Sequence, residues 1–284
     1  MSITAATVME LRNMTGAGMM DCKRALEESG GDLEKAGENL RKKGIAIAQK
    51  KSSRETNEGA IAITFSPDRK RAAMVQLACE TDFVARNEEF QKLLQELTRQ
   101  VLEKGDANLA DQPMAGGEGT VSERLTAAIG KIGENLRLVS AKRVELKGPG
   151  AIGGYVHSNG RIGVLLALQT DKAVNGESLE TLAKDLSMHI AASQVKAITK
   201  DEIDPALLEK EKEILTAQAK QTGKPDHIIE KMVQGRINKF VQEITLLSQP
   251  FVKDPDRTVA QVLKDMEKQA GVRITPVQFV KWQF

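Results

Sequence analysis

Histidine, cysteine and glycine are the residues of this 284-residue chain whose types and spacing could do chemistry. His157, His189 and His227 stand in separate segments, and no HExxH pair places two imidazoles one helical turn apart for a zinc ion. Cys22 and Cys79 lie far apart with no CxxC spacing, which argues against a zinc site and against a disulfide framework. There is no GxSxG elbow for a serine nucleophile and no GxxxxGKS/T loop for phosphates. Gly16-Ala-Gly-Met-Met-Asp21 misses the dinucleotide fingerprint, because Asp21 holds the place of the third glycine and no strand precedes it. The residues therefore read as no enzyme, with no metal, cofactor or nucleotide of the chain's own.

Three segments carry unusual residues instead. In Cys79-Glu-Thr-Asp-Phe-Val-Ala-Arg-Asn87, Phe83 stands among polar residues between a strand end and a helix. Asp82 can cap a turn there while Phe83 folds back onto the sheet. Alternatively Phe83 stands free as an anchor for a partner's pocket, since aromatics dominate interface hot spots. Thr15-Gly-Ala-Gly-Met-Met-Asp-Cys-Lys-Arg24 is a glycine-broken turn feeding a helix, and its adjacent Met19 and Met20 suit an adaptable contact surface as well as close helix packing. His157 sits at a predicted hairpin tip, where a lone histidine is solvated or held by turn backbone unless a partner uses it.

The elements that position these segments follow from periodicity. Residues 2–44 read as three short helices: Val8, Leu11 and Met14 line the first, the second runs from Met19 to about Glu28, and Asp32 caps a third that stops before Gly44. A linker from Ile45 to Asn57, which starts helical and ends exposed, leads to a strand hairpin, Ala60–Phe65 and Arg71–Cys79, around Ser66-Pro-Asp-Arg-Lys70. A helix bearing Phe90, Leu93, Leu94, Leu97 and Val101 comes next, then a loop at 105–119, a helix from Val121 and a strand from Leu136 to Leu146. The order then repeats: Gly150-Ala-Ile152 opens a second hairpin as Gly59-Ala-Ile61 opened the first, a helix covers about 177–192, and a helix from Thr258 leads to a strand containing Val272, Ile274, Phe279 and Trp282. The second copy is interrupted by two helical stretches between 205 and 247, joined at Gln221-Thr-Gly-Lys-Pro225, which read as an antiparallel hairpin projecting from the body. The fold class is α+β.

Composition narrows the function further. The 41 Lys and Arg against 39 Asp and Glu leave a net charge of +2, so no polyanion-seeking surface is advertised. Nine aromatics, 3% of the chain, are too few for stacking single-stranded nucleic acid. No run approaches the ~18 apolar residues of a membrane span, and the N-terminus lacks a secretory signal. A cytoplasmic protein is expected, binding neither nucleic acid nor membrane.

In this order the motifs resemble the bacterial translation elongation factor Ts family, guanine nucleotide exchange factors for elongation factor Tu. Thr15 to Leu26 is similar to the family's N-terminal signature and Thr81-Asp-Phe-Val84 to its central one. Lys131-Ile-Gly-Glu-Asn135, His157 with Arg161-Ile-Gly-Val164, Gly223-Lys-Pro225, Glu230-Lys-Met-Val233 and Gln249-Pro-Phe251 extend the likeness over nearly the whole chain. The resemblance implies a ubiquitin-associated-like three-helix module at 1–54, and two similar α/β core subdomains at 55–147 and 148–284. It also implies a coiled-coil hairpin at about 203–247 interrupting the second. It implies elongation factor Tu, GDP-bound and nucleotide-free, as the partner. Thr81, Asp82, Phe83 and Val84 would dislodge that partner's Mg²⁺, while Met19, Met20, Lys23, Ile132, Gly133, His157 and Val252 would touch it. The family's hairpin can also mediate self-association. Many members continue past the last strand into a helical segment, whereas this chain ends at Phe284. An RNA- or ribosome-associated adaptor without exchange activity is the alternative, and it leaves the Thr-Asp-Phe-Val turn without a purpose; a hydrolase or transferase lacks its motifs.

Overall fold

The residues of the middle strand of each sheet alternate between two cores, which explains why those two strands are apolar on both faces. In the computed structural model, which describes residues 3–117, 119–174 and 176–284, β1 (Glu58–Phe65), β2 (Arg71–Cys79) and β3 (Arg137–Glu145) form one antiparallel sheet in the order β1-β2-β3. Ala60, Ala62, Ala73, Val75 and Leu77 point to the helical side of this sheet, whereas Ile61, Ala72 and Met74 point the other way. That second face meets a second sheet, formed by β4 (Gly150–Val156), β5 (Ile162–Thr170) and β8 (Ile274–Gln283) in the order β4-β5-β8, through Ile152, Leu165 and Ala167. Strands buried on both faces lose the polar alternation of a solvated sheet.

Helices cover the outer faces. The helix α5 (Glu88–Lys104) buries Phe90, Leu93, Leu94, Leu97 and Val101 against the first sheet, joined by α6 (Val121–Ile132). On the second sheet α7 (Gly176–Ala192) buries Leu179, Leu182, Leu186 and Ile190, with α10 (Val259–Ala270) beside it. The loop read at 105–119 carries one 3-10 turn at Leu109–Asp111, and its Glu118 lies outside the described residues, as do Met1, Ser2 and Asn175.

The two sheets share a detail that sequence alone could only suggest. Gly59 and Gly150 stand at the same place in their hairpins, with φ of 154° and 143°, paired to Ala78 and Gln169. A Cβ on Gly59 would lie 2.8 Å from the Ala78 Cα, and one on Gly150 3.0 Å from the Gln169 Cα, so neither position admits a side chain. Each middle strand also shifts register nearby against its third strand, between Gln76 and Leu77 and between Ala167 and Leu168.

At the N-terminus α1 (Ala5–Thr15), α2 (Met19–Glu28) and α3 (Leu33–Lys51) enclose Val8, Leu11, Cys22, Ala25, Leu26 and Ala36. Two expectations are corrected here. Met14 is 63% exposed, because residues spaced by three drift 60° per step around a helix and Met14 has rotated off the stripe of Val8 and Leu11. The third helix does not stop before Gly44 but runs on to Lys51. Gly44 sits where α3 crosses α6, and a Cβ on Gly130 would come within 2.9 Å of its Cα. The close crossing, with the Arg41–Glu123 ion pair at 2.8 Å beside it, offsets the roughly 1 kcal/mol helix penalty of a glycine.

The interruption in the second half is a helical pair, α8 (Pro205–Lys220) and α9 (Asp226–Ile244), zipped by Leu215, Ala219, Ile229 and Val233, with Ile203, Val241 and Ile244 at its base. A two-stranded piece, β6 (Pro250–Phe251) and β7 (Asp254–Thr258), follows where no strand was expected; with Pro250 in it, its pattern is too short and polar to announce itself. Val272, expected inside the last strand, precedes it as a buried residue.

Candidate functional site

What read as a polar turn after β2 contains one turn of helix, α4 (Asp82–Ala85). Thr81 caps it, its side-chain oxygen accepting the Val84 N–H at 3.3 Å. Val84 packs on the first core and Ala85 is buried, so the intervening 100° steps turn Phe83 outward. Phe83 is 82% exposed, the most exposed of the large hydrophobic side chains among the described residues. The folded-back alternative for Phe83 is therefore not the arrangement adopted. Asp82 pairs with Arg86 at 2.9 Å on the surface beside it.

The platform under Phe83 is braced on every side. The Gln91 amide donates to the Ala85 carbonyl at 2.6 Å, and Asn87 caps α5 through the Glu89 N–H at 2.8 Å. The Cys79 thiol donates to the Thr81 carbonyl at 3.1 Å. Burial, reinforced by the nearby Glu134 charge, pushes that thiol up to about 12, which keeps it a proton donor and unreactive.

The turn after α6 joins the platform. Gly133 ends α6 in the left-handed region at φ 84°, and Glu134 then reaches across to the end of β2. Its carboxylate accepts the Glu80 N–H at 3.1 Å, the Thr81 N–H at 3.0 Å and the Thr81 hydroxyl at 2.7 Å. Glu80 answers by accepting the Asn135 N–H at 2.7 Å, and it pairs with Arg54 at 3.2 Å. Burial alone would raise the Glu80 carboxyl, but these two donors outweigh it and hold its pKa below the ordinary value. Ile132 is half-buried on the first core and Gly133 is exposed, and the bonds of the adjoining Glu134 to Glu80 and Thr81 tie this turn to the Phe83 segment.

The N-terminal signature reaches the same neighbourhood. Gly16 leaves room for Lys131, whose Nζ would sit 2.8 Å from any Cβ there, and Lys131 pairs with Glu89 of α5 at 2.8 Å. Past that turn Met20 is 68% exposed, Met19 is half-buried on the three-helix core, and Lys23 is exposed with Glu27 as its i+4 neighbour. Packing thus collects Gly16, Lys131 to Glu134 and Thr81 to Glu89, segments more than 40 residues apart, into one region.

His157 and Val252 belong elsewhere. His157 is exposed at the tip of the β4–β5 hairpin, its Nδ1 3.2 Å from the Tyr155 hydroxyl and its carbonyl accepting the Gly160 N–H at 2.7 Å. Val252 is 44% exposed in the turn between β6 and β7. Its N–H donates to Nδ1 of the buried His189 at 3.2 Å, which places the ring proton on Nε2, 2.8 Å from the Gln249 side-chain oxygen. Burial holds the His189 pKa below its ordinary value, against the pull of that hydrogen bond. The hydrogen bonds and ion pairs among the described residues join neither His157 nor Val252 to the Phe83 platform. Sequence reading gave no role to Glu134 or His189. An acid directly after a helix-ending glycine signals the first; a histidine inside the apolar stripe of Leu182, Leu186 and Ile190 signals the second.

Among the described residues no cluster of histidine, cysteine and acidic side chains could hold a metal ion, and no helix is long and apolar enough to cross a membrane. The comparisons point one way. The family profile described as Elongation factor TS matches residues 80–284. The elongation factor Ts of Trichlorobacter lovleyi is 44% identical over 288 residues, covering 99% of this chain and 92% of its own length. That of Aquifex aeolicus is 44% identical over 292 residues, covering 100% and 98%, and that of Hydrogenovibrio crunogenus 48% identical over 268 residues, covering 93% and 87%. With matches of this extent on both the profile and the full-length relatives, the chain belongs to the elongation factor Ts family of translation elongation factors.

Proposed function

We propose that this protein binds elongation factor Tu and speeds the release of its GDP, with Phe83 as the side chain that acts. The observation that carries the reading is an aromatic 82% exposed on a capped helix turn braced by Cys79, Glu134 and Gln91. Leaving a Phe in water forgoes roughly 1.5–3 kcal/mol of burial, which a partner's pocket can recover. The GTPase holds GDP through backbone amides at the phosphates and a bound Mg²⁺. Phe83 entering between side chains of the nucleotide-binding domain, with Asp82, Thr81 and Val84 supporting the contact, displaces the elements that order that ion. The phosphates then lose their strongest counter-charge.

The surrounding surface completes the contact. Met20 and Lys23, with Met19 beneath them, meet the same domain of the partner, as do Ile132 and Gly133 next to the platform. His157 and Val252, on the other half of the chain, reach a different part of the partner. The units read at 1–54, 55–147 and 148–284 then have distinct tasks: a ubiquitin-associated-like docking module, a half that bears the wedge, and a half that bears the coiled-coil hairpin and the second contact. The protein performs no covalent chemistry, and it acts in the cytoplasm where translation takes place.

Reciprocity limits what it does. Whatever factor weakens GDP binding is the factor by which GDP weakens the complex, so exchange is accelerated in both directions and the nucleotide pool sets its outcome. The test is stopped-flow release of fluorescent GDP from elongation factor Tu with micromolar protein added. A release rate equal to that of the GTPase alone would remove the proposal.

A further inference from the structure

A carboxylate offers about four acceptor positions, and Glu134 spends three of them on two adjoining residues, Glu80 and Thr81. The bond from the Thr81 hydroxyl is the informative one. A hydroxyl carries a single proton; committing it to Glu134 at 2.7 Å leaves its lone pairs facing the Val84 N–H at 3.3 Å. That second contact is the cap that begins α4, and α4 turns Phe83 outward. The two N–H groups held by the other Glu134 oxygen fix the backbone direction with which the chain enters the turn.

We propose that Glu134 is the positioning residue for Phe83, setting the angle at which that side chain is presented. The inference rests on the reading of Phe83 as the group that acts on the partner. Glu134 never meets the partner in this account; it works through the Thr81 hydroxyl. The segment keeps its attachment to the core without it, because Val84 and Ala85 pack inward, Gln91 holds the Ala85 carbonyl, and Cys79 holds that of Thr81. What Glu134 supplies is direction. The bond returned from Asn135 to Glu80, and those from the Asn135 amide to the Ser52 and Arg54 carbonyls at 3.4 and 2.8 Å, tie the α6–β3 turn down so that Glu134 itself cannot wander.

The test measures maximal rate and half-saturating concentration for fluorescent GDP release from elongation factor Tu. Glu134→Ala is expected to lower the maximal rate about tenfold, the size of losing charge-assisted bonds at one cap. Its half-saturating concentration should change less. Glu134→Gln, whose amide oxygen can keep the two N–H bonds, should recover part of the rate. In a Phe83→Ala background the Glu134→Ala change should add nothing, since a pointing device has nothing left to point. Should Glu134→Ala fail to fold, Thr81→Val keeps the side-chain volume, removes the hydroxyl, and should show the same loss and the same dependence on Phe83. Additive losses in the double variant would overturn the proposal, as would a normal Glu134→Ala rate beside a slow Phe83→Ala. A Phe83→Ala protein with an undiminished rate would instead bring down the reading of Phe83, and this proposal with it.

Discussion

Replacing Phe83 with alanine separates a side chain that acts on a partner from one that holds the fold. Less than a fifth of Phe83 is covered in the free protein. Complete burial of a phenylalanine is worth roughly 1.5–3 kcal/mol, so the covered part contributes about 0.5 kcal/mol or less. For a chain of this length that is a melting shift of about 1–2 °C. If the exposed four-fifths instead enters a desolvated pocket on elongation factor Tu, truncation costs on the order of 2–4 kcal/mol of coupling. Converted to rates, that is a loss of roughly 30- to 1,000-fold in stimulated GDP release. The assay pairs stopped-flow release of fluorescent GDP with a thermal melt of each variant. The reasoning fails if exchange drops by less than about threefold. It fails equally if melting falls by more than about 5 °C and the loss of exchange merely follows the loss of folded protein, for then Phe83 is structural.

Two glycines make a contrasting pair. Gly130→Val places methyl groups against the Gly44 backbone where a Cβ would already sit 2.9 Å away, and should cost about 1–3 kcal/mol in urea unfolding by prising α3 from α6. Gly37→Ala, on α3 away from the crossing with nothing within 4 Å of the new Cβ, should gain about 0.5–1 kcal/mol; equal effects at both sites would contradict the crossing described. Acid sensitivity should trace in part to His189, whose neutral ring accepts from Val252 and whose folded-state pKa lies below the ordinary 6.5. Its contribution is complete above pH 6.5, shrinks as the pH falls toward the lowered folded-state value, and levels off beneath it. His189→Asn, whose amide oxygen can take the Val252 N–H without titrating, should show a smaller drop in urea midpoint between pH 7.5 and pH 5 than the parent protein; an identical drop would locate the acid sensitivity elsewhere.

Periodicity and punctuation made most elements legible. Phe90, Leu93, Leu94, Leu97 and Val101 all fall on the buried side of α5, and Thr258 and Gly271 bound α10 as capping chemistry requires. The paired openings at Gly59 and Gly150 were legible as equivalent hairpin starts because a position where backbone crosses backbone tolerates only glycine. Gly44 misled for a related reason: glycine signals a helix end locally, and only the neighbour across the gap, Gly130, shows that it serves a crossing instead.

The sequence alone determined the order of the longer helices and strands and the identity of Phe83 as an aromatic without an apolar face of its own. These are local properties, written in residues a few positions apart. It could not decide whether Phe83 folds back or stands out, because that depends on Val84 and Ala85 finding the first core and on Glu134, more than 50 residues away, accepting from the cap of its helix. Nor could it bring the Gly16 turn beside Lys131 and Glu89, or set a neutral His189 beneath Val252. Hydrogen bonds and packing across such separations become favourable only once the whole chain has already given up its conformational freedom, so they belong to the tertiary structure and leave no period in the sequence.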